Sequence, residues 1–150
     1  MIYNPQQVRT ALTIQSIPTP ISGGARTIKL DAESYRLVTS LSKILQDNGF
    51  QVGDDIVALS YIPGLVYMLG AKSPGHPTFL STTPGERAYS RIAISFADLD
   101  RLRSSYVLLN APVTDMSALL STRGIAFPIE YRKLGAHQFL GNEFSLWKPN

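Results

Sequence analysis

Asp98 and Asp100 lie one residue apart, just after the apolar run at 92–97. A strand that ends in Asp-x-Asp is one way to hold Mn²⁺ or Mg²⁺ against a diphosphate, because hard cations want clustered oxygens. In the first turn of a helix the same two carboxylates would instead face its positive end. The helical reading is preferred, since no nucleotide-binding glycine loop precedes the pair. Gly64, Gly70, Lys72 and Ser73 echo a phosphate loop, but Ala71 separates Gly70 from Lys72 and the interior 65–69 is bulky and apolar. That motif needs four residues between its glycines, then Lys and Ser/Thr at once, so that backbone N–H groups can ring a phosphate. His76 and His137 each stand without a second ligand at metal-binding spacing. Asp54 and Asp55 most simply serve a turn. Tyr61, Tyr67, Tyr106 and Trp147 could stack on a sugar, though aromatics on strands are more often core. No catalytic residue and no metal site is assigned, and no cofactor is expected.

The chain has 150 residues, 14 Lys+Arg against 11 Asp+Glu, a formal charge of +3, and no Cys. The basic residues are scattered, whereas a nucleic-acid binder gathers them into a stripe because each phosphate contact needs its own cation. No nucleic-acid partner is expected. The lack of Cys removes disulfides and thiolate chemistry together. The longest apolar stretch, 56–71, is broken by Ser60, Pro63, Gly64 and Gly70 and is shorter than the roughly 20 residues of a membrane-spanning helix. The chain as given is expected to be soluble.

The elements that must position these residues follow from periodicity. Residues 8–15 read as a strand, Pro18, Pro20, Gly23 and Gly24 as turns, and 26–30 as the second arm of a hairpin. Tyr35, Leu37, Val38, Leu41, Ile44 and Leu45 form the apolar stripe of a helix capped by Asp31 and stopped at Gly49. The runs 56–59 and 106–109 suit strands buried on both faces. Pro63 and Gly70 frame a short helix over 64–69. Residues 72–85 read as loop, with an extended piece at 78–81. Residues 86–94 read as helix, although 92–94 equally suits a strand. Residues 96–103 read as a further helical turn or two with Ser95 as cap, and Thr114 is expected to cap a helix that Gly124 stops. The alternation over 129–139 and 144–147 around a Gly141-Asn142 turn predicts a hairpin.

The fold class is therefore α/β: a three-layer mixed sheet with a parallel centre, helices on the faces and a C-terminal antiparallel hairpin. One domain is expected over 1–150, with an N-terminal extended or hairpin segment (1–30), an α/β core (31–128) and the C-terminal hairpin (129–150). In such sheets ligands sit beyond the carboxyl ends of the parallel strands. That rule nominates Ser60, Tyr61, Pro63, Gly64 and Asn110 as cleft residues, with His76 reaching in from the long loop.

Three stretches also carry a resemblance. Asp31-Ala32-Glu33 leading a helix, the run from Asn48-Gly49-Phe50 to Asp54-Asp55-Ile56, and Tyr61-Ile62-Pro63-Gly64 through Gly70 resemble a segment of certain bacterial polytopic membrane proteins. The start from Asn4-Pro5 to Gln15 and the ending Leu146-Trp147-Lys148-Pro149 look similar too. In those proteins a transmembrane region like that of lipid-linked-sugar (GT-C-like) glycosyltransferases precedes a C-terminal soluble domain. The resemblance implies a non-catalytic periplasmic or extracellular domain, contacting a glycan or lipid-linked sugar or positioning a partner. That partner would be the membrane-embedded part of the same parent. A small stand-alone α/β enzyme acting on a nucleotide or sugar is the alternative.

Overall fold

The computed structural model describes residues 14–150, except 22–23, 61 and 77–79. Of the strand expected at 8–15, residues 8–13 lie outside this range. The element order is β1 (Ile17–Pro20), β2 (Thr27–Leu30), α1 (Ala32–Asp47), β3 (Ile56–Leu59), α2 (Pro63–Met68), α3 (Arg87–Ser95), α4 (Leu99–Ser104), β4 (Tyr106–Leu109), α5 (Val113–Ser121), β5 (Tyr131–Phe139) and β6 (Asn142–Pro149). The main sheet runs β3-β4-β6-β5, with β3 and β4 parallel and the other pairings antiparallel. The α/β class, the mixed sheet and the C-terminal hairpin are as expected, but the parallel pair occupies one side of the sheet and not its centre, because the hairpin strand β6 adds to β4 and β5 to β6. None of the described helices is long and apolar enough to cross a membrane.

The sheet's two faces are written in strand alternation, because successive side chains point to opposite sides. Ile56, Tyr106, Leu108, Phe144 and Leu146 pack with Leu37, Leu41 and Leu45 of α1 and with Leu65 and Val66 of α2. Val57, Leu59, Val107 and Leu109 face the other way. They meet Ala93 and Ile94 of α3, Leu102 of α4, and Met116, Leu119 and Leu120 of α5. Leu41, Leu59, Leu108 and Leu120 are fully buried, so truncating any one to Ala should cost about 2–5 kcal/mol.

Local chemistry sets the ends of the elements. Asp31 caps α1 by accepting from the Glu33 and Ser34 N–H groups, each at 3.0 Å. Gly49 follows at φ +82°, the left-handed stop that suits glycine. The hairpin β1–β2 forms, but its first arm is Ile17–Pro20 and not the segment centred near residue 12. Pro18 and Pro20, expected to turn the chain, sit inside β1. Pro lacks the ladder donor, and alternate positions of a strand with a free edge do not need one.

Residues 92–94 take the helical of their two readings within α3, where Ala93 and Ile94 are buried and Ile92 is exposed at helical spacing. Three further boundaries differ from expectation. Asp98, not Ser95, caps α4, its Oδ1 accepting the Arg101 N–H at 2.9 Å. Helix α5 starts at Val113, ahead of Thr114, because the Pro112 carbonyl already takes the Asp115 N–H at 3.0 Å. The last hairpin turns at Leu140-Gly141, both at positive φ (49° and 80°), one residue earlier than the sequence suggested.

Candidate functional site

Leu59 and Leu109 are register partners, so Ser60 and Asn110 leave adjacent parallel strands at one level. From there the chain departs to opposite sides. After β3 it enters α2, which packs on the α1 face; after β4 it enters α5, which packs on the other. A divergence of this kind between neighbouring parallel strands opens a crevice at their carboxyl ends. Ser60 marks the point with φ +88°, a backbone conformation that non-glycine residues rarely hold and that clusters at functional sites. Its N–H donates to the Leu80 carbonyl at 2.9 Å, and Leu59 and Leu80 form a parallel bridge. Leu80 thus stands as an isolated bridge beside the end of β3.

On the α3–α5 side of this end lies an open depression of about 70 Å³. Its charged lining is Arg87 and Arg91 from α3 and Asp115 from α5, with hydroxyls from Ser81, Thr82 and Ser90. The wall beneath is fixed by a reciprocal pair: the Ser81 N–H donates to Ser90 Oγ, and that hydroxyl donates to the Ser81 carbonyl, both at 2.8 Å. The Ser81 hydroxyl donates to Thr83 Oγ1 and accepts from the Thr83 N–H. Arg87 Nε donates to the Thr82 carbonyl at 2.9 Å, while its terminal nitrogen stands 3.8 Å from Asp115 Oδ1. Chemically, the place offers cationic donors, hydroxyls and one carboxylate around a small concavity.

The six nominated residues are only partly gathered. Ser60 and Asn110 follow register partners at the strand ends, but neither lines the depression. Pro63 opens α2, and Gly64 is exposed with open space about it. Tyr61 lies outside the described residues. His76 belongs to a turn tied toward the other end of β3. There the Asp98 N–H donates to the Pro74 carbonyl, and Arg101 bridges Asp55 and the Ser73 carbonyl. Lys72, just before that turn, bridges to Asp55 at the start of the strand. The residues that line the depression, Ser81, Thr82, Arg87, Arg91 and Asp115, were not nominated. Arg87 and Arg91, one turn apart on a helix, were the available signal.

The acidic pair follows its helical reading: Asp98 caps α4 and Asp100 lies in its first turn. Asp54 accepts the Gln51 N–H in the turn before β3. Among the described residues no cluster of three or more His, Cys, Asp or Glu is placed to hold a metal ion. Tyr106 is a core aromatic and Trp147 a half-buried one at the core's edge, edge-on to Phe50 and Phe127 respectively, while Tyr67 is exposed on α2. Among known proteins no family model, curated protein or solved structure matches this chain.

Proposed function

We propose that this is a small α/β domain that handles a sugar- or nucleotide-type ligand in the depression beyond β3. One observation carries the reading: a small concavity with an apolar floor, edged by two arginines and a carboxylate, beside Leu59 at the carboxyl end of β3, where the connections of the parallel pair diverge. Polar groups converging on a concavity at such a point are the default signature of a ligand site.

The same site serves either of two uses. Turnover by a stand-alone enzyme is favoured by the position of the depression at the strand ends. A non-catalytic role in an extracytoplasmic part of a membrane protein has separate support. Tyr89, Ile92 and Phe96 recur at three- and four-residue spacing along α3 and are 50%, 60% and 69% exposed. An exposed stripe of this kind could rest on the membrane-embedded remainder of a parent chain.

Thermal shift with neutral sugars, sugar phosphates and nucleotides, each with and without Mg²⁺ or Mn²⁺, tests the ligand class. Mass spectrometry of the same mixtures reports turnover. Stabilisation by a sugar or nucleotide, abolished when Leu119 at the floor is replaced by Trp, supports the reading. Lack of stabilisation by every compound overturns it. A converted product selects the enzyme, and binding without conversion selects the non-catalytic domain.

A further inference from the structure

We infer that the depression beyond β3 selects an anionic polyol, a sugar-type ligand with one carboxylate or phosphate close to a free hydroxyl. This rests on the proposal that the depression is a ligand site, and it names the chemistry that the site reads. The lining sets two guanidiniums, Arg87 and Arg91, against the single carboxylate of Asp115, which leaves an excess of one positive charge.

The two arginines are not equally committed. Arg87 spends Nε on the Thr82 carbonyl and approaches Asp115 at 3.8 Å, too far for a hydrogen bond. Arg91 is exposed, and no acceptor engages its guanidinium among the described residues. Like charges four residues apart on a helix repel, and an anion between them turns that repulsion into two attractive contacts. Guanidinium matches the planar edge of a carboxylate or phosphate with paired donors.

The carboxylate narrows the choice. A bare inorganic anion placed here would meet Asp115 as a like charge, whereas a neutral sugar would leave Arg91 without a counter-charge. A ligand that bears both groups satisfies both sides, its anion on Arg91 and the open side of Arg87 and its hydroxyl donating to Asp115. Ser90 adds nothing to this recognition, because its hydroxyl is already engaged with Ser81 in both directions. The volume, about 70 Å³, is far below the roughly 300–1,000 Å³ of sites that enclose a whole small molecule. The depression therefore takes the charged end of the ligand and leaves the remainder in solvent.

Amide-resolved NMR titration of the full chain with glucuronate, glucose 6-phosphate, glucose and inorganic phosphate tests this, alongside Arg91→Gln and Asp115→Asn. Melting curves first establish that both variants are folded. Glucuronate or glucose 6-phosphate should shift the Ser81, Ser90, Arg91 and Asp115 amides and bind at least tenfold more tightly than glucose or phosphate. The stronger of the two identifies the anion as carboxylate or phosphate. Arg91→Gln should weaken the anionic sugars about tenfold and leave glucose unchanged, while Asp115→Asn should erase their advantage over phosphate. Glucose binding as tightly as the anionic sugars would keep the depression as a ligand site and overturn the anionic inference. Phosphate binding equally well would overturn the polyol part, and no amide shift with any probe would overturn the site itself.

Discussion

The Lys148 ammonium on β6 donates to the main-chain carbonyl of Asn48 at 3.0 Å, across 100 positions of sequence. Asn48 is the C-cap of α1, a helix with no basic residue in its own last turn. The last carbonyls of a helix carry partial negative charge, so a cation from the sheet completes what the helix sequence omits. The same ammonium lies 5.5 Å from the Tyr106 ring centroid, and the Tyr106 hydroxyl also reaches Asn48 O at 3.4 Å. Lys148→Met keeps the apolar stem and removes the charge. It should lower stability by about 1 kcal/mol, from the helix-end and ring contacts together. An unchanged urea midpoint would show that the contact contributes nothing.

Helix α1 meets the hairpin closely at a second place. A Cβ added to Gly135 would lie 3.0 Å from Ile44 Cδ1, and the pairing of β5 with β6 shifts register between Lys133 and Gly135. Gly135→Ala should therefore cost about 1–2 kcal/mol, the usual range for inserting a methyl into a filled interface. Ile44→Val removes the obstructing Cδ1. In that background the Gly135→Ala penalty should shrink to a fraction of its wild-type value, a coupling that a double-mutant cycle measures directly. Additive effects would place the cause in the backbone and not in this contact.

Helix α1, strands β3 and β4 and the closing hairpin were legible because each has a strong local signature. The stripe from Tyr35 to Leu45 has a capping Asp31 and a left-handed Gly49, and the short apolar runs of β3 and β4 are buried on both faces. Strand β1 was not, because Pro18 and Pro20 carry a turn signal that a free strand edge tolerates. The site was not legible. Topology led to Ser60 and Asn110 at the strand ends, since the rule depends only on strand direction, but neither lines the depression. Arg87, Arg91 and Asp115 escaped it because they come together only when α3 and α5 pack side by side, which no spacing in the chain encodes. His76 failed as a cleft residue for the same reason: Arg101 and Asp98 tether its turn toward the start of β3.

Asp31 couples the start of α1 to pH. Burial pushes its carboxyl up, but bonds from the Ser34 N–H and hydroxyl and the Glu33 N–H outweigh this and hold it below the ordinary carboxylate value. A depressed folded-state pKa contributes stability that is present above the unfolded value, near 3.9, and is lost as pH falls through the folded one. Asp31→Ala should cost about 1 kcal/mol at neutral pH, as loss of an N-cap does. Asp31→Asn retains the cap and cannot titrate, so it should flatten this part of the acid limb. Denaturation midpoints between pH 7 and pH 2 for the three proteins check this. Parallel wild-type and Asn curves would exclude Asp31 as a contributor to the acid limb.

Tyr131 presents the opposite sign at alkaline pH. It is 6% exposed among Phe127, Ile125 and their neighbours, and its hydroxyl has no hydrogen-bond partner among the described residues. Burial, aided by the Glu130 charge, pushes the phenol up to about 12. A folded pKa above the unfolded value near 10 means that this contribution is intact below pH 10 and is lost as pH rises toward 12. Tyr131→Phe removes a buried polar atom that gains no bond, so it should leave stability at pH 7 unchanged or raise it by up to about 1 kcal/mol. It should also lessen the loss of stability above pH 10. Ultraviolet difference titration should show one phenolate transition near pH 12 that vanishes in the Phe variant. A destabilisation of 1 kcal/mol or more at pH 7 would mean that the hydroxyl is satisfied, and the assignment of a solitary buried phenol would fall.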